Sequence, residues 1–265
     1  IHRPWYRLHK DMKIYILYPH ENWICDRLTH EWYEHNRGIS TLDPQEAQII
    51  WLLPGWQWRR MPESLLREKK VVVTIHHIVP EKFNDQKKSD FYTRDQYVDY
   101  YHVPCQITAQ QVKNLSDKPV FVQPFWVNQK IWHHIDEKSG FRKKFGLPQA
   151  KYLVGSFQRD TEGKDLKSPK LEKGPDRFIK IIQNLSKEKD VGVVLSGPRR
   201  QYVKNELDKL KISYWHFENV SFSMVNGLYN CLDLYVVASR YEGGPQSVVE
   251  CAAAKVPIGS TSGGL

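Results

Sequence analysis

Ser239-Arg-Tyr-Glu-Gly-Gly-Pro-Gln-Ser-Val-Val-Glu250 decides how this chain is read. It follows Leu232-Asp-Leu-Tyr-Val-Val-Ala238, a branched and aromatic run that predicts a buried strand, and it leads into a helix predicted over Ser247–Ala254. A strand end, a glycine turn and a helix start therefore come in order. Pro245 lacks an N–H and suits the first turn of a helix, where that donor has no intrahelical partner. Beside Gly243, the N–H groups of Gly244, Gln246 and Ser247 are expected to point outward at a ligand bearing oxygen acceptors or negative charge. Glu242 stands on the lip of the turn, and Glu250 lies about two turns into the helix. Carboxylates at these places can accept hydrogen bonds from the vicinal hydroxyls of a sugar or ribose. An isolated Glu is ordinarily solvated or a cap. Glu250, however, sits in the apolar run Val248-Val-Glu-Cys-Ala-Ala-Ala254, an expensive place for a carboxylate without partners.

Working outward, the same alternation of strand and helix recurs. Upstream, strands are predicted over Lys13–Tyr18, Gln48–Leu53, Val71–Ile75, Val103–Ile107 and Val120–Gln123, with a helix over Trp23–His35. Pro124–Gly146 holds no long apolar run and carries Lys138, Arg142, Lys143 and Lys144, which reads as a domain junction with solvated charge. The alternation then restarts. Tyr152–Phe157 and Val191–Leu195 predict strands. Lys173-Gly174-Pro175 leads into a helix with Phe178, Ile181, Ile182 and Leu185 on one face. Continuous apolar strands separated by helices argue for parallel sheets covered on both faces. Two such series make an α/β chain of two Rossmann-like domains, predicted at residues 1–130 and 131–265.

The 265 residues suit roughly two domains of about 150 residues, and 12% aromatic residues exclude an intrinsically disordered chain. No apolar run approaches the roughly 18 residues of a spanning helix, which excludes an integral helical membrane protein. Cys25, Cys105, Cys231 and Cys251 are scattered without a C-x-x-C pair, so no local zinc knuckle is expected. A disulfide framework is not expected either, and the reading is a reduced, cytoplasmic protein. Ile1–Met12 has no apolar segment of a secretory signal, and Met12 is a candidate initiator. The net charge of +9 implies anionic partners without naming them.

Glu242-x7-Glu250, followed by Ala252–Pro257 and Gly263-Gly264-Leu265, resembles the E-x7-E region of retaining GT-B glycosyltransferases, specifically family 4. Tyr229–Ser239 resembles the segment leading into that motif. Gly155-Ser-Phe-Gln-Arg159 with Lys173-Gly174 resembles the family's Gly-Arg…Lys-Gly pair, and Phe125-Trp-Val-Asn128 its interdomain segment. The resemblance implies a GT-B architecture, two Rossmann-like domains facing across a cleft, with an acceptor-binding first domain and a donor-binding second. It further implies transfer of a sugar from a UDP- or GDP-linked donor to a glycan or lipid-linked acceptor, with retention of configuration, as in polysaccharide or lipopolysaccharide biosynthesis.

By the same resemblance, Arg159 and Lys173 clamp the donor diphosphate. Glu242 contacts the transferred sugar and Glu250 the nucleotide ribose, with Gly243, Gly244, Gln246 and Ser247 completing the donor site. Two fixed cations are also what a diphosphate leaving group needs as the glycosidic bond breaks. His76, at the end of the Val71–Ile75 strand, is the acceptor-side catalytic candidate, with packing in a domain interface as its equal rival. The chain departs from the family in three places. His77 stands where the family has Asp, the loop Pro19–Ile24 has no glycine, and the chain stops at Leu265, so an incomplete C-terminal end is expected.

No D-x-D triplet occurs, so metal-chelated diphosphate is not expected, and the nucleotide-sugar is a co-substrate rather than a cofactor. Trp51, Trp56 and Trp58 flank Pro54-Gly55 and precede Arg59-Arg60, a loop that could meet a glycan acceptor, single-stranded nucleic acid or a membrane surface. Ordinary packing is the competing reading. No nucleic-acid recognition motif occurs, and weak peripheral contact at the inner face of a membrane is a secondary expectation. Rival functions are a non-catalytic sugar-nucleotide or glycan-binding module, a GT-B nucleotide-sugar epimerase or phosphorylase, and a basic nucleic-acid binder. The charge favours the donor reading. Residues 1–135 carry 18 Lys+Arg and 15 Asp+Glu, the remainder 21 and 15, so the larger excess lies in the predicted donor half.

Overall fold

The structure, a computed structural model, describes residues 12–21 and 24–262. The expectations resting on Ile1–Asp11, Asn22, Trp23 and Gly263–Leu265 lie outside the described residues. The chain divides into two compact units, residues 1–124 and 125–265, each built on a five-stranded parallel sheet.

In the N-terminal unit, β1 (Ile14–Ile16), α1 (Ile24–His35), β2 (Ile49–Leu52), α2 (Glu63–Glu68) and β3 (Lys70–Thr74) alternate in order. They are followed by α3 (Asp85–Asp95), β4 (Tyr100–Val103), α4 (Gln106–Lys113) and β5 (Val120–Val122). The strands pair in sequence order, all parallel. Parallel neighbours need a crossover between them, and the helices supply it. Ile50, Leu52, Val71, Val73, Tyr101 and Val103 on the strands are buried against Leu65, Leu66, Phe91 and Val112 on the helices. The strand expected over Val103–Ile107 is displaced upstream. Pro104 cannot donate to a ladder, so β4 ends at Val103, Cys105 precedes α4, and Ile107 lies exposed on that helix.

Trp51, Thr74 and His102 are joined in a hydrogen-bonded chain. Trp51 Nε1 donates to Thr74 Oγ1 at 2.9 Å, Thr74 Oγ1 lies 3.0 Å from His102 Nδ1, and His102 Nε2 lies 2.7 Å from the Gln123 carbonyl. The carbonyl can only accept, so Nε2 carries the proton and Nδ1 accepts from the threonine hydroxyl, a neutral tautomer assigned from the network. Burial holds the His102 pKa below its ordinary value of 6.5, against the smaller opposing effect of the Gln123 hydrogen bond. The folded state thus binds fewer protons than the unfolded chain. This contribution to stability is present above about pH 6.5 and is lost as pH falls below it. Denaturant titrations between pH 7.5 and 5 are expected to show falling stability, with a shallower slope in His102→Gln. An unchanged slope would remove His102 from the account.

The Trp51–Arg60 segment is largely engaged within the unit. Residues Gly55–Arg60 form a tight helical turn that buries Trp58. Arg59 stacks over the Trp58 ring at 4.3 Å and pairs with Asp90, and Arg60 donates to the Pro19 carbonyl at 2.8 Å. Trp56 remains half exposed, its Nε1 donating to Glu21 at 2.7 Å. Among the described residues no helix is long and apolar enough to cross a membrane.

The C-terminal unit runs α5 (Lys138–Lys144), β6 (Tyr152–Ser156), α6 (Pro175–Leu185), β7 (Val191–Ser196) and α7 (Gln201–Leu210). It continues with β8 (Tyr214–Phe217), α8 (Phe222–Cys231), β9 (Leu234–Val237), α9 (Gln246–Ala253) and β10 (Ile258–Ser260). The sheet order is β10-β9-β6-β7-β8. Its continuous apolar strands divide their side chains between two cores, as the two-residue strand period requires. Leu153, Val194, Tyr235 and Val237 face one way, toward Leu228, Tyr229 and Cys251. Val154, Val193, Leu195 and Val236 face the other, toward Phe178, Ile182, Val203 and Leu207.

The predicted junction is corrected in one respect. Arg142, expected among solvated charges, is buried on α5. It donates to the Cys231 and Gln149 carbonyls, each at 2.9 Å, and to Asp233 Oδ2 at 2.6 Å. Asp233 Oδ2 also accepts from the Leu153 amide at 2.8 Å, so the guanidinium fastens α5 to the starts of β6 and β9.

Candidate functional site

From β6 the chain builds outward through β7 and β8, then returns to add β9 and β10 on the opposite side. The loops leaving β6 and β9 therefore diverge, and open α/β sheets bind ligands at the carboxyl ends of strands where the order reverses. The loop after β6 carries Gln158 and Arg159. The loop after β9 carries Ser239, Arg240, Tyr241 and Glu242.

A third segment joins them. Leu171–Lys173 forms a tight turn ending at Gly174, which has φ 61° and leads straight into α6. A Cβ at Gly174 would lie 1.9 Å from the Ala238 carbonyl oxygen, so both its left-handed backbone and its approach to the end of β9 require glycine. This contact delivers Lys173 to the β9 loop. Lys173 Nζ donates to Glu242 Oε1 at 2.6 Å, and Ser239 Oγ donates to the same oxygen at 2.9 Å. Gln158 Nε2 donates to the Lys173 carbonyl at 3.0 Å, which ties in the β6 loop. Arg240 grips Asp176 with two hydrogen bonds of 2.7 and 2.6 Å, and its backbone N–H donates to the Glu172 carbonyl at 2.8 Å. The Arg240 hydrogen bond holds the Asp176 carboxyl below the usual carboxylate range.

Beneath the β6 loop lies a buried ion pair that motif reading does not find. Arg200 Nε sits 2.8 Å from Asp160 Oδ2, with side chains 0% and 3% exposed. The same guanidinium donates to Ser156 Oγ at 3.1 Å and to the Gln158 carbonyl. Asp160 Oδ1 accepts from Thr161 Oγ1 at 2.7 Å. Arg159 is thus held between two anchored neighbours and is itself half-buried. Burial raises the Asp160 pKa against the opposing pull of Arg200.

The predicted site residues are placed differently from one another. Lys173 and Glu242 are in direct contact. Gly243 and Gly244 precede Pro245, which proves to be the residue just before α9 rather than within its first turn; Gln246 and Ser247 open the helix. Glu250 is turned inward on α9. The residue is 6% exposed, and its Oε2 accepts from Tyr229 Oη at 2.9 Å. Burial, and next the Glu250 charge, raise the Tyr229 pKa well above its usual value, so this phenol stays a donor. A cavity of about 140 Å³ opens beside these elements, lined by Ser239, Glu242, Pro245, Val248, Ser260 and Thr261. His76 belongs to the N-terminal unit, just beyond β3, where its Nε2 lies 3.0 Å from the Leu53 carbonyl and 3.7 Å from Cys25 Sγ. Burial pushes the Cys25 thiol up to about 12, which leaves it protonated and unreactive at neutral pH.

Residues 166–264 match the family described as glycosyl transferases group 1. That match lies within the C-terminal unit. The match contains Lys173, Glu242 and Glu250, whereas Arg159 precedes it. The two-unit fold also resembles solved glycosyltransferases. Anabaena HepE, in complex with UDP and glucose, aligns with 97% of this chain and 82% of its own at 12% identity and a TM-score of 0.70. A Rickettsia africae glycosyltransferase aligns with 97% and 80% at 13% identity and a TM-score of 0.64. Sucrose-phosphate synthase from Thermosynechococcus elongatus aligns with 90% and 60% at 14% identity and a TM-score of 0.64. At these identities the likeness is one of fold, and the fold is that of GT-B glycosyltransferases. No curated protein matches this chain. Arg200, Asp160 and Gln158 are contributions that spacing did not indicate, because each acts through the loop it anchors. Ser239 was within the quoted stretch, but its role depends on Glu242 folding back across three residues.

Proposed function

We propose that this glycosyltransferase moves a sugar from a UDP- or GDP-linked donor to a glycan or lipid-linked acceptor, with retention of configuration and without a metal-chelated diphosphate. The carrying observation is the Lys173–Glu242–Ser239 cluster at the strand-order reversal, a cation and a carboxylate held within one hydrogen bond of each other. Arg159 and Lys173 would take the donor diphosphate, helped by the amides around Gln246, and Glu242 would orient the sugar. The acceptor oxygen would bond to the anomeric carbon as the carbon–phosphate oxygen bond breaks, and the departing phosphate would take the acceptor proton on the same face. Retention and the roles of the individual residues come from the resemblance of the motif. His76 would serve the acceptor from the N-terminal unit. Glu250 would meet the ribose, with Tyr229 keeping its carboxylate hydrogen-bonded in a buried setting.

A thermal-shift screen of nucleotide sugars tests this reading. A UDP- or GDP-sugar is expected to raise the melting temperature of the wild type, but not of Arg159→Ala or Glu250→Ala. Full stabilisation in both variants would displace the donor site. A wild type that is stabilised but releases no nucleoside diphosphate on long incubation with acceptors would be a binding module.

A further inference from the structure

The N-terminal sheet has its own reversal of strand order. Ile14 of β1 pairs with Ile49 of β2 on one side and bridges in parallel to Ser40 on the other. The chain therefore leaves β1 through α1 toward Ser40, then crosses back to β2 and continues away. The loops after β1 and β2 diverge, and open α/β sheets take ligands at the carboxyl ends of strands where this happens. Glu21 lies on the first loop and Trp56 on the second. Both loops are held in place. Asp26, in the first turn of α1, accepts from the His20 and Glu21 amides at 2.8 and 3.0 Å. A Cβ at Gly55 would lie 2.8 Å from the Thr74 carbonyl oxygen, so only glycine seats the Trp56 turn this closely on the end of β3. Arg60 donates to the Tyr18 and Pro19 carbonyls at 3.1 and 2.8 Å, which ties the two loops together.

Trp56 is half exposed, whereas Trp58, two residues on in the same turn, is buried. The Trp56 indole is oriented without being covered. Its Nε1 donates to Glu21 Oε1 at 2.7 Å, Gln57 Nε2 donates to the same oxygen at 2.6 Å, and the ring centroid stands 5.6 Å from that of His76. An exposed aromatic face beside a carboxylate and an imidazole suits a sugar. The C–H groups on one face of a pyranose are weakly positive and fit the negative face of the indole, while hydroxyls on its rim donate to the carboxylate. Nucleic acid and an anionic membrane fit this loop less well. Arg59 is paired with Asp90, and Arg60 turns to backbone carbonyls. The charge hydrogen-bonded to the indole is that of Glu21, which repels phosphate groups.

Resting on the glycosyl transfer read above, we propose that Trp56 is the stacking platform for a pyranose ring of a glycan acceptor, with Glu21 accepting from that ring's hydroxyls. The indole sets the plane of the sugar and brings it beside His76. A pyranose with equatorial hydroxyls leaves a face of axial C–H groups and is preferred, because an axial hydroxyl on that face breaks the stack.

Saturation-transfer NMR and calorimetry on the whole chain test this with cellobiose, maltose, chitobiose and mannobiose as probes, alongside UDP, GDP, oligothymidylate and vesicles of phosphatidylcholine and phosphatidylglycerol. The wild type is expected to bind at least one of the disaccharides. Trp56→Ala is expected to bind it about tenfold more weakly, and Trp56→Phe, which keeps a ring, within about threefold of the wild type. Tyr100→Ala, which removes an exposed aromatic from the amino end of β4, is the control and should change nothing. Melting temperature and UDP affinity are expected to be equal in all variants. Disaccharide binding that is unchanged in Trp56→Ala, or absent from the wild type, would overturn the proposal. So would a parallel loss of UDP affinity, or Trp56-dependent binding of oligothymidylate or vesicles in place of sugar. If Trp56→Ala alone weakens disaccharide binding but the wild type takes neither UDP nor GDP, the nucleotide-sugar reading fails while the platform stands.

Discussion

Replacing Glu242 with glutamine is expected to lower turnover by about 10²- to 10³-fold while leaving UDP affinity within about threefold of the wild type. The carboxylate accepts from Lys173 Nζ at 2.6 Å and from Ser239 Oγ at 2.9 Å. A donor diphosphate that binds Lys173 must share that ammonium with Glu242. The neutral amide competes less for the lysine, so diphosphate binding does not suffer. Under the role proposed for Glu242, what the amide cannot supply is a negative charge beside the sugar as positive character develops at the anomeric carbon, and only interactions that strengthen in the transition state raise kcat. Lys173→Met should behave differently, losing UDP affinity and turnover together and leaving Glu242 without its cation. Steady-state kinetics with paired UDP titrations separate the two cases. Equal losses of UDP affinity in both variants would show that Glu242 acts only by holding Lys173.

Arg200→Met is expected to destabilise the C-terminal unit by about 3–5 kcal/mol, because it strands the buried Asp160 carboxylate. Asp160 and Arg200 are 3% and 0% exposed at the side chain, so solvent cannot replace the lost partner. A loss of that size should lower the melting temperature by roughly 10 °C. The double variant Asp160→Leu, Arg200→Met is expected to regain most of this stability, since an apolar pair of similar volume escapes the desolvation cost. It should not regain donor affinity. The Gln158 carbonyl and Ser156 hydroxyl lose their shared donor in either variant, and Arg159 with them loses a fixed starting point. Recovery of both stability and UDP binding in the double variant would reduce the ion pair to a packing role. Chemical denaturation and calorimetry give the two readings independently.

Much of the architecture is legible in the sequence because buried parallel strands need unbroken apolar runs. Val191–Leu195 and Leu232–Ala238 announce β7 and β9 in this way. Pro175 announces the start of α6 through its missing N–H. The edge strands β8 and β10 are not legible. Tyr214-Trp215-His216-Phe217 is only partly buried, so no uniform apolar run marks it. The Val103–Ile107 expectation failed because the apolar residues there lie on both sides of a proline, and the break outweighs the composition. Arg142 and Arg200 were invisible as buried groups for a related reason. A long cation reads as surface until its carbonyl and carboxylate partners are known, and those partners lie 7 to 91 residues away for Arg142.

By itself the sequence determined the two series of parallel strands and, in the second, the stretch Ser239–Glu250 that falls within the glycosyl transferases group 1 match. Hydrophobic periodicity reports which residues face a core, and motif spacing reports which sit on a turn. Neither reports neighbours. Only the tertiary structure decided that β6 and β9 lie side by side, which brings the loops of Arg159, Lys173 and Glu242 together although the first and last are 83 positions apart. It also decided that Lys173 and Glu242 meet and that Arg200 anchors the β6 loop from below. These outcomes depend on strand order and on the close approach at Gly174, which are properties of the folded backbone rather than of any local stretch of the chain.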